Sequence, residues 1–164
     1  MFMAVQSKPN EKLALLIFPG IAVLGLEALG RLSRSGRLLA AYRFGALGYV
    51  ALWVWCMLYL EDGNGFSSYV LPVLCLVMTL AAAGLIVARA REGVPSILRD
   101  PAMLAALATL ILYTPFTILD PVASAQFKAH PQFFVAVFEF RAFCQALGSI
   151  IFLFALRWTP QTPS

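Results

Sequence analysis

The chain has 164 residues, of which 61% are hydrophobic and 12% carry a formal charge. Soluble domains have about 45–50% apolar and about 25% charged residues, so this composition excludes an ordinary soluble domain. The net charge of +4 does not indicate nucleic-acid binding, because the basic residues lie in short segments between long apolar runs and no RNP-like or zinc-finger motif is present. The sequence predicts an integral membrane protein with an all-α fold, a polytopic bundle of transmembrane helices.

Five apolar runs follow one another along the chain, and each predicts a helix. The first, residues 13–30, contains Pro19-Gly20 and Glu27, and three interpretations stay open: a kinked span, a helix tilted halfway into the membrane, or a signal peptide. The other four, approximately 38–60, 66–88, 102–119 and 132–156, are close to the ~20 apolar residues that a span requires. Residues 1–164 are predicted to form a single membrane domain with four spans and a fifth at the N-terminus.

The distribution of arginine and lysine predicts the orientation of the spans. The segments 31–37 and 89–100 contain three arginines each, whereas the segment 61–65 between them has no basic residue. Cytoplasmic loops carry an excess of lysine and arginine. We therefore predict that these two arginine-rich loops and the C-terminus are cytoplasmic. The size and number of spans are typical of small proteins of the bacterial inner membrane. The side of the N-terminus depends on whether residues 13–30 cross.

Two charged residues interrupt the last apolar run, Glu139 and Arg141. Charged residues inside a membrane usually face protein or water, because an arginine, aspartate or lysine at the bilayer centre costs about 2.5–3.5 kcal/mol. Two positions correspond to roughly 200° around a helix, so the pair cannot join to each other. We predict that Arg141, on one side with Gln145, contacts a carboxylate of another helix, Asp120 or Glu61. Glu139 is predicted to be protonated or to meet a neighbouring subunit.

A second candidate ion pair is predicted between the first two apolar runs. Glu27 lies near the end of the first run and Arg43 near the start of the second, so they form a second candidate pair between these helices. The alternative for Arg43 is that its guanidinium extends to the lipid headgroups.

Asp100 precedes Pro101, a combination that predicts the N-terminus of a helix capped by the carboxylate.

Residues that could carry chemistry are scarce. The single histidine, His130, falls in a predicted outer loop, so no histidine lies within a span to ligate haem, pigment or metal. Cys56, Cys75 and Cys144 lie in apolar runs without a CxxC neighbour, which predicts buried thiols. The sequence has no GxSxG, HExxH or P-loop motif. We predict no catalytic residue, no metal and no cofactor. Bound lipid is compatible with the apolar sequence.

These features predict a non-catalytic accessory or structural subunit of a larger membrane complex. Its partners would be membrane lipids and other membrane subunits, with no nucleic acid. The alternative is a small-molecule or proton-coupled transporter or binding protein, with an intramembrane polar site around Glu139 and Arg141. A membrane enzyme acting on lipid or quinone is the hypothesis that the sequence supports least.

Overall fold

The computed structural model describes residues 8–59, 70–93, 100–126 and 131–157. Nearly all of these residues are helical, and no strand occurs among them. In chain order the helices are α1 (Lys8–Leu32), α2 (Gly36–Tyr59), α3 (Val70–Arg91), α4 (Pro101–Gln126) and α5 (Pro131–Arg157). The predicted all-α fold is confirmed.

Four of these helices are long and apolar enough to cross a membrane. They comprise α2, α3, residues 101–119 of α4 and residues 135–157 of α5, with 24, 22, 19 and 23 residues respectively. Each is close to the ~20 residues that the hydrocarbon core requires. The prediction of a membrane protein with four such helices is therefore confirmed, whereas a crossing by α1 stays a prediction.

The ends of the helices differ from the predicted runs by a few residues. Of the helix predicted at 66–88, residues 66–69 lie outside the described residues, and the described helix continues beyond residue 88 to Arg91; α4 continues beyond residue 119 to Gln126. Hydropathy marks where a segment is apolar, whereas a helix ends where its backbone hydrogen bonding ends. The final turns of α4 lie outside its apolar run, but they are helical because the backbone hydrogen bonding of the helix continues through them.

The helices are buried to different extents. In the apolar segments of α3 and α4, 39% and 44% of the residues are buried, against 17% in each of α2 and α5. Among the described residues, α5 packs against α4 alone, whereas α1 packs against α2, α3 and α4. Helices α3 and α4 are therefore central, and α2 and α5 lie at the edges of the bundle.

The largest group of buried side chains lies where α1, α2 and α3 meet. Leu26, Leu74 and Leu85 are at most 1% exposed there. The Tyr42 hydroxyl, buried in the same region, donates a 2.6 Å hydrogen bond to the Ala81 carbonyl on α3. A polar atom inside a membrane needs a partner within the protein, so this bond allows the hydroxyl to be buried.

Helices α1 and α2 form a close hairpin. The turn between them contains the buried Ser33, whose hydroxyl donates a 2.6 Å hydrogen bond to the Gly30 carbonyl, and Arg34 in the left-handed conformation with φ 55°. A Cβ atom at Gly30 would lie 2.7 Å from Cδ1 of Leu39. Glycine at this position therefore permits the two helices to approach each other.

Candidate functional site: the two sides of α5

One side of α5 is buried against α4. The buried residues on α5 are Val137, Cys144, Gly148 and Ala155. They recur at intervals of seven and four, which places them on one face of a helix. A Cβ atom at Gly148 would lie 2.5 Å from Cγ of Leu112 on α4, so the two backbones approach closely at this point.

Arg141 lies at the margin of this contact and is partly buried. Its guanidinium carbon is 5.0 Å from the centroid of the Phe116 ring on α4. A guanidinium above an aromatic face is attracted by the negative charge of that face. Arg141 therefore makes a contact between helices. Of its predicted carboxylate partners, Glu61 lies outside the described residues, and the side chain of Asp120 also lies outside the described part, so this pairing stays a prediction.

Glu139 lies on the opposite side of α5. It is nine positions before the buried Gly148, which corresponds to roughly 180° around a helix, and its side chain is exposed. Among the residues whose side chains are described, no hydrogen bond or ion pair involves Glu139. Glu139 is thus in the middle of an apolar helix, and its carboxyl group points away from the bundle.

Gln145 does not share the α4 contact. The sequence placed it on one side with Arg141, but it is exposed, whereas Arg141 is partly buried. The small residues Ala142, Ala146 and Ser149 are exposed as well. The outer face of α5 is defined as the exposed residues on the Glu139 side of the helix: Glu139, Ala142, Phe143, Ala146, Ser149 and Ile150. Ala142, Ala146 and Ser149 are small, whereas Phe143 and Ile150 are large and apolar.

A groove lies near the end of α5, with a volume of about 440 Å³. The described residues that line it are Ile150, Leu153, Phe154, Leu156 and Arg157. Four of the five are apolar, and the arginine is the last residue of the helix. Apolar walls with a cation at one end are compatible with a phospholipid, whose acyl chains are apolar and whose phosphate is anionic.

The second candidate pair, Glu27 and Arg43, is an ion pair in the structure. Nη2 of Arg43 lies 2.8 Å from Oε1 of Glu27, and Nε donates to Oε2 at 2.9 Å. Arg31 also donates to Oε1, at 3.0 Å. The carboxylate thus connects α1 to α2. Exposed ion pairs usually contribute little to stability, and both arginines are exposed, so we assign this cluster no large energetic role. A functional role for the pair stays a prediction.

A buried ion pair between α3 and the start of α4 was missed by sequence reasoning. Nε of Arg89 lies 3.2 Å from Oδ2 of Asp100, and the two side chains are 7% and 10% exposed. Nη1 of Arg89 also donates to Oε2 of Glu92 at 2.7 Å. The sequence had placed Arg89 with the loop arginines. The available signal was its spacing, because Arg89 follows the buried Ala82 and Leu85 at helical intervals of seven and four.

Asp100 has two roles in this arrangement. Its Oδ1 accepts a 3.0 Å hydrogen bond from the backbone N–H of Ala102, so the predicted cap of α4 is confirmed. Its other oxygen faces Arg89. One carboxylate therefore both starts α4 and connects it to the end of α3.

Groups that could bind a metal are not assembled in the described part of the chain. Within residues 8–59, 70–93, 100–126 and 131–157, no cluster of three or more His, Cys, Asp or Glu residues occurs. Cys56, Cys75 and Cys144 are buried, as their apolar surroundings in the sequence predicted.

Comparisons with known proteins identify no relative. No protein-family model, no curated protein and no solved structure matches this chain. The fold defines the class, a polytopic helical membrane protein.

Proposed function

We propose that the chain is a non-catalytic accessory or structural subunit of a larger membrane complex. The observation that carries this proposal is the position of Glu139, which is exposed on the side of α5 that faces away from α4. A carboxylate that faces lipid is unfavourable, and ionisable residues in spans usually face protein or water. Contact with a neighbouring subunit would provide Glu139 with a partner.

The outer face of α5 has the composition of a helix contact. Ala142, Ala146 and Ser149 have small side chains that allow a second helix to approach. The Ser149 hydroxyl can form a hydrogen bond across such a contact.

The alternative, a transporter with a polar site around Glu139 and Arg141, has less support from the geometry. Arg141 lies above Phe116 at the α4 contact, whereas Glu139 is exposed on the opposite side of the helix. A shared binding site would require both groups to line one cavity. The partners we propose are therefore membrane lipids, including a phospholipid in the groove that ends at Arg157, and other membrane subunits.

We further propose that the protein lies in a bacterial inner membrane, with the segments 31–37 and 89–100 and the C-terminus in the cytoplasm. This orientation is tested with single cysteines at positions 34, 62 and 91 in a background in which Cys56, Cys75 and Cys144 are replaced by alanine. A membrane-impermeant maleimide should label position 62 in intact cells, and positions 34 and 91 only after permeabilisation. Labelling of positions 34 and 91 but not of position 62 in intact cells would contradict this orientation and indicate the opposite one.

The subunit proposal is tested by native mass spectrometry after gentle detergent extraction. We expect the wild-type chain in a stoichiometric complex with other protein subunits, and a smaller assembly for Glu139→Leu, because leucine leaves the partner's polar group without a bond. Phe44→Leu, a change at another exposed position, on α2, is the control and should leave the complex intact. A homogeneous wild-type monomer would contradict the proposal, as would full assembly of Glu139→Leu.

A further inference from the structure

The central part of α5 presents two opposite charges at nearly the same depth. Glu139 and Arg141 are two residues apart, which corresponds to about 3 Å along the helix axis. They lie on different sides of the helix, so neither can neutralise the other within one chain. Arg141 is partly exposed and Glu139 is exposed, so both can be reached from outside the bundle.

We propose that Glu139 of one copy forms an ion pair with Arg141 of a neighbouring copy, so that the complex contains at least two chains in contact through α5. This inference rests on the proposed function, since it names the neighbour that covers the outer face of α5. Copies that share the proposed orientation place the neighbour's Arg141 within about 3 Å of the depth of Glu139. Any other subunit would need a cation of its own at that depth.

The contacts that Arg141 makes within its own chain do not prevent this second role. Its cation–π contact uses the face of the Phe116 ring. A guanidinium has five N–H donors in a planar fork and can serve more than one acceptor. Ala142 and Ala146, which flank Glu139 on the exposed side, leave space for the neighbouring helix.

The positions of the two charges also specify the type of interface. A symmetric pair that joined two Glu139 sides would bring two carboxylates together, which is unfavourable unless one is protonated. Pairing of Glu139 with Arg141 instead joins different surfaces of the two copies. Such an interface is heterologous, and it forms a closed ring when the rotation between copies closes.

The test uses disulfide formation in native membranes at positions that leave both charges in place. Phe143 and Gln145 each lie four residues after one of the charged residues, and both are exposed. Two chains with different tags are co-expressed in the cysteine-free background, one with Phe143→Cys and the other with Gln145→Cys. We expect cross-links between chains that carry different tags, and few cross-links between chains that carry the same tag.

The charge dependence of this cross-link tests the ion pair itself. Glu139→Gln should remove most of the cross-linked product, because glutamine keeps the shape of the side chain but not its charge, whereas Glu139→Asp should retain part of it. Both variants change an exposed residue and should fold normally, which is checked by size-exclusion chromatography. An undiminished cross-link in Glu139→Gln would overturn the inference.

The possible outcomes separate this inference from the proposed function. Cross-links between two Phe143→Cys chains alone would indicate a symmetric dimer and overturn the inference. No cross-link between copies, together with stoichiometric other subunits in native mass spectra, would overturn the inference and leave the proposed function intact. The expected cross-link in a complex without other subunits would support the inference and contradict the proposed function.

Discussion

Replacement of Arg89 by alanine is expected to lower the free energy of unfolding by about 3–5 kcal/mol, the cost of removing one partner of a buried ion pair. Nε of Arg89 lies 3.2 Å from Oδ2 of Asp100, and both side chains are at most 10% exposed. Alanine would remove the cation that faces the buried Asp100 carboxylate. The measurement is the thermal unfolding of the purified protein in detergent.

The matched control is Arg91→Ala, two residues further along the same helix. Arg91 is exposed, and changes at exposed positions usually alter stability by less than about 0.5 kcal/mol. The double variant Arg89→Ala/Asp100→Ala should lose less than the sum of the single variants, because no buried charge is left alone. If Arg89→Ala unfolded like Arg91→Ala, the buried pair would have no stabilising role.

Replacement of Gly148 by alanine is expected to cost about 1–3 kcal/mol, the usual effect of adding a methyl group to a packed interior. The new Cβ atom would lie 2.5 Å from Cγ of Leu112 and 3.2 Å from the Ala108 carbonyl oxygen. The backbone oxygen cannot move independently of α4, so the two helices would have to separate. Because α5 packs against α4 alone among the described helices, its attachment should weaken. Thermal unfolding in detergent measures this loss.

Gly45→Ala is the control for this prediction. A Cβ atom at Gly45 would meet nothing within 4 Å, and alanine is more favourable than glycine in a helix interior by up to about 1 kcal/mol. Gly45→Ala should therefore keep or raise the melting temperature, while Gly148→Ala lowers it. Equal melting temperatures for the two variants would contradict the close packing of α4 and α5.

The fold could be predicted from the sequence because the bilayer imposes a strong constraint. A segment inside the hydrocarbon has to satisfy its own backbone hydrogen bonds, so long apolar runs become helices. The opposite placement of Glu139 and Arg141 also followed from the helical period alone. Neither conclusion required knowledge of which helices are neighbours.

Tertiary contacts could not be predicted in the same way. The helical period placed Gln145 on one side with Arg141, but it did not show that Arg141 lies at the margin of the α4 contact while Gln145 is exposed. Arg89 and Asp100 are 11 residues apart on two helices, so their pairing depends on how α3 and α4 pack. The sequence instead assigned Arg89 to a solvated loop, which is where most arginines between spans lie.

The central claim, that protein covers the outer face of α5, is tested most directly by the collision rate of molecular oxygen with a nitroxide label on Ala142→Cys. Oxygen is concentrated in lipid and largely excluded from contacts between helices. We predict a low collision rate in native membranes and a higher rate when the purified chain is diluted into lipid vesicles. A rate that is equally high in both preparations would show that lipid covers this face and would contradict the account.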